Sequence, residues 1–542
     1  MKFLFLIALV AAAIDVNVKG VVSAGGAGMP GILVSDGVNF TVTDSTGRYA
    51  FHSDKTESTV FAVTPSGYVA EPVDGLQPAF WAHLTKKADE CETHDFRFVP
   101  QDQKDYTMLF VTDVHLCNAV GIKPDKQHFK EAILPLLKHH KDSLSAFGPT
   151  YVMNLGDLSH DRYWYEFGFT VKDAYDYLKS VGFPSPMYSV TGNHDHDPAV
   201  YVEDKEREEF LASHLYREVF GPSRYSFNAG GEHWVVMNDA HYLNTPTEEK
   251  KAPGVVGARN YDRTYREGQL AWLEKDLSYV PDSVRIILCS HIPPFKFSSR
   301  AVFPVDVLDR LESIFAARGS HVTVFAGHSH RFYMSDSERW PHLHIYTLPA
   351  TSGNMWETAQ AGRSINLGGS IAGVFYAGFN RDGKRDFRYV SEEGGEHYYR
   401  AYDMNSVGRF MKTDSLSREV ISQLDDRFDF RSAKWKNTVA VNCWWYRTGD
   451  KVEMWEDGKP LDVRLDRNMP DPLMTVWAGL YKDPRKPDKV LPPAYKELKG
   501  DSIFIAKTRK ARSLVHVRIS CADGKVFEFD IKRPQEFNRY VR

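Results

Sequence analysis

Six short apolar runs follow one another between residues 104 and 330, and amphipathic segments separate them. One such segment carries Leu270, Leu273 and Leu277 at helical spacing. Apolar runs that alternate with helical periods predict an α/β domain in which the runs form the strands. The predicted strands are Tyr106 to Val111, Tyr151 to Leu155, Met187 to Val190, His233 to Met237, Val284 to Cys289 and Val322 to Ala326.

Five of these six runs end in a polar motif; the run that begins at His233 is the exception. In an α/β sheet the loops after the carboxyl ends of the strands converge on one crevice, where ligands bind. The five motifs are therefore expected to meet in space. In chain order they are Asp113-Val114-His115, Gly156-Asp157, Gly192-Asn193-His194-Asp195, Ser290-His291 and Gly327-His328-Ser329-His330.

Each motif has an ordinary explanation when it is taken alone, because Gly, Asn and Asp are common turn residues. Five of them in chain order at strand ends are not explained in that way. Carboxylate, carboxamide and imidazole groups together suit manganese, iron or zinc. Seven such groups exceed what one ion needs, so the set predicts two divalent or trivalent transition-metal ions. A carboxylate such as Asp157 can bridge two ions that lie about 3.5–4 Å apart.

The five-block motif resembles that of the calcineurin-like metallophosphoesterase superfamily, over about residues 104 to 350. The resemblance implies an α/β four-layer sandwich with two mixed sheets. It also implies a dinuclear centre that hydrolyses phosphate esters by in-line attack of a metal-bound hydroxide. The implied ligands are Asp113, His115, Asp157 and His330 for one ion, and Asp157, Asn193, His291 and His328 for the other.

The resemblance further implies that His194, next to the ligand Asn193, acts on the leaving group. Superfamily members often carry an acidic residue three positions after the bridging Asp, where it supports this His. Here that position is His160, and Asp161 follows it. The supporting residue is therefore left open among His160, Asp161 and Asp195, and Asp195 is taken as the candidate catalytic partner.

Two other residues are candidates for contact with a substrate. Asn238 ends the fourth predicted strand and either touches substrate or belongs to the loop. Arg331 follows the last implied ligand, and it either clamps a phosphate or forms a surface salt bridge.

The segments on either side of the α/β domain show strand alternation and turn residues but no motif that carries chemistry. Residues 14–100 predict an N-terminal immunoglobulin-like or transthyretin-like β module. Residues 361–542 predict a β-rich C-terminal domain in which helices fade, which leaves residues 104–360 as the catalytic domain. This layout resembles that of secreted bacterial members of the superfamily.

The first thirteen residues read as a signal peptide. Met1-Lys2 is followed by an apolar run to Val10 and by three alanines that end at Ala13. A charged start, a short apolar run and small residues are typical of a secretory signal, with a buried first strand as the alternative. The run is too short to span a bilayer, and no other segment reaches that length. We therefore expect export to the periplasm, the cell surface or the medium.

The net charge of −4 argues against a protein built to grip nucleic acid, which usually carries a basic excess. The leading prediction is a hydrolase of phosphoric mono- or diesters. A nuclease of the same fold would need a basic stripe near the site. A non-catalytic surface-binding protein would need missing ligands, and none is missing. The alcohol of the ester, the oligomeric state and the role of the flanking domains stay open.

Overall fold

The computed structural model describes residues 16–73, 75–248, 252–297, 300–359, 362–380, 382–478 and 502–538. The predicted signal peptide lies outside the described residues. Among the described residues, no helix is long and apolar enough to cross a membrane. Three regions follow one another along the chain: an N-terminal β-rich region, a central α/β domain and a C-terminal β-rich region.

The N-terminal region consists of short strands in two main sheets, with the order β11-β1-β12-β7 in one and β10-β6-β3-β4 in the other. It packs on the central domain through Phe40, whose ring stacks 5.7 Å from that of Trp272. The Trp272 indole also donates to the Ser35 hydroxyl at 3.2 Å. The strands are β1 Val18–Ala24, β2 Ala27–Gly28, β3 Leu33–Ser35, β4 Phe40–Val42, β5 Arg48–Phe51, β6 Thr59–Ala62, β7 Tyr68–Ala70, β8 Pro72–Val73, β9 Gln77–Pro78, β10 Trp81–His83, β11 Glu92–Thr93 and β12 Phe96–Pro100.

Two mixed sheets form the centre of the α/β domain. The first has the order β15-β14-β13-β26-β27 and the second the order β16-β17-β20-β23-β25-β24. The strands are β13 Tyr106–Val111, β14 Thr150–Asn154, β15 Met187–Ser189, β16 Arg224–Ala229, β17 Glu232–Met237, β18 Ala240–Leu243, β19 Asn260–Arg263, β20 Arg285–Cys289, β21 Phe295–Lys296, β22 Arg300–Ala301, β23 Val322–Ala326, β24 Tyr333–Ser335, β25 Leu343–Thr347, β26 Gly373–Phe379 and β27 Arg385–Ser391.

The two sheets face each other, and helices cover their outer faces. Phe110 of β13 and Phe325 of β23 meet between the sheets with ring centroids 4.5 Å apart. Buried leucines of α2 and α4 share a core with the first sheet, and those of α7 and α8 share a core with the second. The predicted four-layer sandwich is thus confirmed. The helices are α1 Asp125–His128, α2 Leu134–Leu144, α3 Trp164–Phe167, α4 Val171–Ser180, α5 Lys205–Ala212, α6 His214–Phe220, α7 Glu267–Leu277 and α8 Val305–Ala317.

The first sheet continues past residue 360, where the sequence placed the end of the catalytic domain. β26 pairs antiparallel with β13, from Tyr106 opposite Phe379 to Phe110 opposite Phe375. β27 then pairs along the whole length of β26. The predicted boundary would separate β13 from its neighbour in the sheet, so the domain is better ended after Ser391.

Among the described residues after Ser391, two four-stranded sheets combine with three helices. The predicted β-rich C-terminal region is thus confirmed, although helices do not fade in it. Two of these helices begin at capping carboxylates: Asp403 accepts from the Asn405 amide, and Asp414 accepts from the Ser417 amide. The elements are β28 Tyr399–Asp403, α9 Met404–Thr413, α10 Ser415–Gln423, β29 Thr438–Cys443, β30 Lys451–Glu456, β31 Lys459–Pro460, β32 Val463–Leu465, α11 Pro472–Ala478, β33 Ile503–Lys507, β34 Leu514–Ser520 and β35 Val526–Lys532.

Candidate metal centre

The five motifs lie in the loops that follow β13, β14, β15, β20 and β23. Four of these strands are held in parallel pairs, β13 with β14 in the first sheet and β20 with β23 in the second, and β15 runs parallel to β14. Their carboxyl ends therefore open on the same side of the domain. All seven predicted ligands meet there: Asp113, His115, Asp157, Asn193, His291, His328 and His330.

Five of the seven predicted ligands adopt the left-handed backbone conformation, which side-chain-bearing residues rarely use. Their φ angles are 51° for Asp113, 48° for His115, 54° for Asp157, 64° for His328 and 50° for His330. Such conformations cost of order 1–3 kcal/mol each and gather at functional sites, where the surrounding structure holds them. Tertiary packing here imposes local geometry that orients these side chains towards one another.

Two glycines of the motifs let the loops approach closely. A Cβ atom on Gly192 would lie 2.1 Å from the backbone nitrogen of Asp157, and one on Gly327 would lie 2.5 Å from Oδ2 of Asp113. Neither distance is compatible with a side chain. The glycines thus belong to these motifs because the neighbouring ligand loops come too close to leave room for a side chain.

The first group of ligands consists of Asp113, His115 and His330, all buried. The Nε2 atoms of His115 and His330 lie 3.0 Å apart. Oδ1 of Asp113 lies 3.3 Å from Nε2 of His330 and 3.8 Å from Nε2 of His115. Two imidazole nitrogens and an anionic oxygen thus point at one small volume.

The second group consists of Asp157, Asn193, His291 and His328. Nε2 of His291 lies 3.2 Å from Oδ2 of Asp157, 3.1 Å from Oδ1 of Asn193 and 3.3 Å from Nδ1 of His328. Oδ2 of Asp157 also lies 3.7 Å from Nε2 of His115 in the first group. One oxygen of Asp157 therefore stands between the two groups.

Two of the four ligand histidines are oriented in the way that metal sites require. Nδ1 of His330 lies 2.9 Å from the Gly353 carbonyl, and Nδ1 of His291 lies 2.8 Å from the Leu155 carbonyl. A ring whose Nδ1–H donates to a carbonyl leaves its Nε2 lone pair free for a metal. The donor set and its orientation fit two transition-metal ions.

The buried carboxylates of the site stabilise positive charge close to them. Burial by itself would lower the pKa of His291, but the charges of Asp157, Asp113 and Asp239 outweigh burial and raise that pKa to about 10. The pKa of Asp157 falls well below its usual value although burial opposes this, because His291, His194 and His115 surround it. Metal cations bound at the same place would supply this charge in place of protons.

His194 stands beside the two groups and is tied to a carboxylate by its Nδ1 atom. Nδ1 lies 2.6 Å from Oδ1 of Asp161, while the backbone amide of His194 donates to Oδ1 of Asp157 at 2.7 Å. Nη1 of Arg259 donates to both oxygens of Asp161, at 2.7 and 3.0 Å. Burial acts to raise the pKa of Asp161, but the Arg259 charge and the His194 contact lower it below its usual value.

The structure assigns the supporting carboxylate to Asp161, four positions after Asp157, and not to Asp195. The Asp195 carboxylate is fully buried and accepts from the backbone amides of Ser159 and Gly192 at 3.0 and 3.1 Å. Burial and the nearby Asp157 charge raise the pKa of Asp195 to about 6. Its place is to join the loops after β14 and β15, so the expected catalytic role of Asp195 is corrected. The ring of His160 packs edge-on against that of His194, with centroids 4.7 Å apart. His160, Asp161 and His194 also place ligand-type atoms within 4.8 Å of one another.

The structure gives contacts for the two candidate substrate residues. Asn238 is buried, and its side chain donates to Glu209 and accepts from the Ala240 amide, both at 3.0 Å. These bonds engage its amide within the loop after β17, which favours the alternative that Asn238 belongs to the loop. Arg331 lines a cavity at the boundary with the C-terminal region, beside Gly368 and Asp471.

Three residues of one segment border the site, although no sequence motif pointed to them. Besides Arg259, Tyr261 places its hydroxyl 3.4 Å from Nε2 of His328. Arg263, which is exposed, donates to the Tyr261 hydroxyl at 3.3 Å. The signal in the sequence is the alternation Arg259-Asn-Tyr261-Asp-Arg263, but the segment follows no predicted strand and carries no known motif.

The comparisons with known proteins agree with this geometry. Residues 106–332 match the family model of the calcineurin-like phosphoesterase, and residues 16–101 match the model of the N-terminal domain of calcineurin-like phosphoesterase. This part of the chain therefore belongs to the calcineurin-like phosphoesterase family, whose members use a dinuclear metal centre. Among curated proteins, none matches the chain.

Solved structures similar to this chain include a dimetal phosphatase from Danio rerio, at 14% identity and a TM-score of 0.35, over 54% of this chain and 97% of that one. The 5'-nucleotidase of Candida albicans matches at 11% identity and a TM-score of 0.30, over 54% of this chain and 52% of that one. The NAD nucleotidase of Haemophilus influenzae matches at 15% identity and a TM-score of 0.26, over 54% of this chain and 53% of that one.

Proposed function

We propose that this protein hydrolyses phosphate esters with two metal ions held at the candidate metal centre. The observation that carries the proposal is the position of Asp157. Its Oδ2 atom lies 3.7 Å from Nε2 of His115 and 3.2 Å from Nε2 of His291, one residue from each group of ligands. A shared carboxylate of this kind is what holds two ions close enough to act on one phosphate.

The donors decide which metals suit the two positions. Asp113, His115 and His330 would hold one ion, with Asp157 shared, and the remaining ligands would hold the other. Mixed imidazole and carboxylate donors favour manganese, iron or zinc. When both ions are bound, they supply an activated water and positive charge for the phosphate oxygens.

His194 is assigned to the leaving group. Its Nδ1 atom is engaged by Asp161, so Nε2 at the far side of the ring is the atom that can give a proton to the departing oxygen. The side chain is 12% exposed, so it is held in place yet open to a substrate. A positioned acid of this kind contributes ~100- to 10,000-fold to the rate.

Tyr261 and Arg263 are assigned to the phosphate. The exposed Arg263 donates a hydrogen bond to the Tyr261 hydroxyl, and this hydroxyl in turn lies beside Nε2 of His328. Arginine presents several donors to phosphate oxygens in a fixed geometry. Tyr261 and Arg263 would therefore orient the ester from the His328 side of the centre.

The experiment that tests the proposal is a screen of phosphomonoesters against phosphodiesters. The full chain is reconstituted with manganese, iron or zinc, and His194→Asn serves as the matched control. We expect metal-dependent hydrolysis of one ester class by the native chain and a much slower rate for the variant. A chain that holds two ions and hydrolyses no phosphate ester would contradict the proposal.

Arg259 should contribute to the rate through Asp161 without binding metal. We expect Arg259→Ala to lower kcat on alkyl phosphates by roughly 10- to 100-fold, the equivalent of a hydrogen bond to a charged group of about 1.5–3 kcal/mol. Arg259→Lys should recover part of the loss, because a single nitrogen makes both contacts with Asp161. Steady-state kinetics and metal analysis on the same preparations check this. A loss of metal in Arg259→Ala would show instead that the segment supports the ligands.

We also propose that the protein is exported, with cleavage near Ala13. The proposal is supported by the charged start, the apolar run and the alanines at the beginning of the sequence. N-terminal sequencing of the mature protein from its native host is the measurement. A chain that begins at Met1 and is found in the cytosol would overturn it.

A further inference from the structure

Three histidines gather at the other edge of the second sheet, away from the candidate metal centre. His321 immediately precedes β23, His342 immediately precedes β25, and His344 lies within β25. The two strands are parallel neighbours, with Val322 opposite Leu343. His328 and His330 follow the carboxyl end of the same β23, so a strand of five residues separates the two places by roughly 20 Å.

The ring nitrogens of two of these histidines face each other. Nε2 of His344 lies 3.2 Å from Nδ1 of His321. Two nitrogens that bind one tetrahedral ion at 2.0–2.1 Å lie about 3.3 Å from each other, so this spacing suits a shared metal. The ring of His342 stacks on that of His321 with centroids 5.0 Å apart, which adds a third imidazole beside the pair.

In two of the three rings, the Nδ1 atom contacts a carboxylate. Oδ1 of Asp336 lies 2.7 Å from Nδ1 of His344, and Oε1 of Glu312 lies 2.5 Å from Nδ1 of His342. Histidines that bind metals usually donate their other ring nitrogen to a carboxylate in this way. The arrangement repeats, at the surface, the orientation seen for the buried ligands of the candidate metal centre.

The contacts of Asp336 decide which nitrogen of His344 is free. Oδ1 of Asp336 lies 2.7 Å from Nδ1 of His344, and Oδ2 accepts from Nη1 of Arg447 at 2.7 Å. A carboxylate paired with an arginine accepts hydrogen bonds, so Nδ1 of His344 is the nitrogen that donates. In the neutral ring the lone pair then lies on Nε2, the atom that faces His321.

We propose that His321 and His344 form a second kind of metal site, which binds one divalent transition ion of the zinc or copper class, with His342 beside it. This site lies beyond the proposed function and shares no residue with the candidate metal centre. Arg447 of the C-terminal region donates to Oδ2 of Asp336 at 2.7 Å. A bound ion would hold His344 in place, and with it the Asp336 carboxylate to which Arg447 is hydrogen-bonded. It would thus also stabilise the contact between the central and C-terminal regions.

The experiment uses the full chain, freed of metal and then titrated with zinc by calorimetry, with the zinc content at saturation measured by elemental analysis. We expect the native chain to bind one ion more than His321→Ala or His344→Ala. Asp336→Asn should keep the site but weaken it about 10- to 100-fold. The matched control is His516→Ala. His516 is a half-exposed strand histidine paired with Asp530 at 2.9 Å, and within the described part of the chain no second histidine contacts its ring.

The outcomes separate a metal site from a mere contact between two imidazoles. An identical number of ions in the native chain and in His321→Ala would overturn the proposal. So would an equal loss in His516→Ala, since that result would mean unspecific binding to surface histidines. The difference of one ion between chains does not depend on whether the candidate metal centre hydrolyses esters, so failure here and failure of the proposed function are distinguishable.

Discussion

His194→Asn is expected to keep both ions of the candidate metal centre and to lose ~100- to 10,000-fold of its rate on alkyl phosphates. That loss corresponds to about 3–5 kcal/mol of activation free energy. Attack on phosphorus pushes negative charge onto the departing oxygen, and the imidazole held by Asp161 is the group placed to protonate it. Metal content and kcat for a series of alkyl and nitrophenyl phosphates are measured on the same preparation.

The dependence on the leaving group makes this prediction specific. Nitrophenyl phosphates need little protonation, so they should suffer less than alkyl phosphates. Asp161→Asn should reproduce the same pattern in weaker form, because it loosens the His194 ring without removing it. Equal losses on both kinds of ester, with metals intact, would mean that His194 stabilises the phosphate and donates no proton. Loss of metal in His194→Asn would require a different ligand set.

Asp157→Asn is expected to weaken both metal positions together and to bring hydrolysis close to the background. The change keeps the size of the side chain but removes the anionic oxygen that stands between His115 and His291. Residues that only hydrogen-bond to metal ligands typically change metal affinity by about 10- to 100-fold when they are mutated. Removing a carboxylate that binds the metal itself should lower the affinity by more than this. Metal affinity at each position is measured by titration with manganese.

The matched control for Asp157→Asn is Asp195→Asn, which alters a neighbouring buried carboxylate that touches backbone amides of the loops. This variant should retain both ions. If Asp157→Asn lost only one ion, Asp157 would belong to a single position, and the two groups of ligands would not form one centre.

The sequence predicted the strands of the central domain well where buried apolar runs were bounded by turns. β13 and β23 have the predicted limits, Tyr106 to Val111 and Val322 to Ala326. β26 and β27 were assigned to the wrong domain, because their place in the sheet depends on pairing with β13, more than 250 residues earlier in the chain. Periodicity reports which face of a segment is buried, but it does not report which strand lies beside it.

In the candidate site, too, residues in local motifs could be predicted, whereas residues that depend on long-range contacts could not. The ligand motifs could be found because each follows a strand at the edge where loops converge. Arg259 could not, since it reaches Asp161 from a segment 98 positions later that carries no motif. The choice between Asp161 and Asp195 was also beyond the sequence, because both lie within a few residues of a ligand. Only the packing of the loops shows that Asp195 faces backbone amides and Asp161 faces His194.

One carboxylate, that of Asp157, is proposed to join two metal positions in a single centre. Crystals of the full chain loaded with manganese, with anomalous scattering recorded at the manganese edge, give a direct test. We expect two peaks about 3.5–4 Å apart with an oxygen of Asp157 between them. The first peak should lie among Asp113, His115 and His330, and the second beside His291. A single peak in fully loaded crystals, or two peaks that do not share Asp157, would show that the two groups of ligands do not form one dinuclear centre.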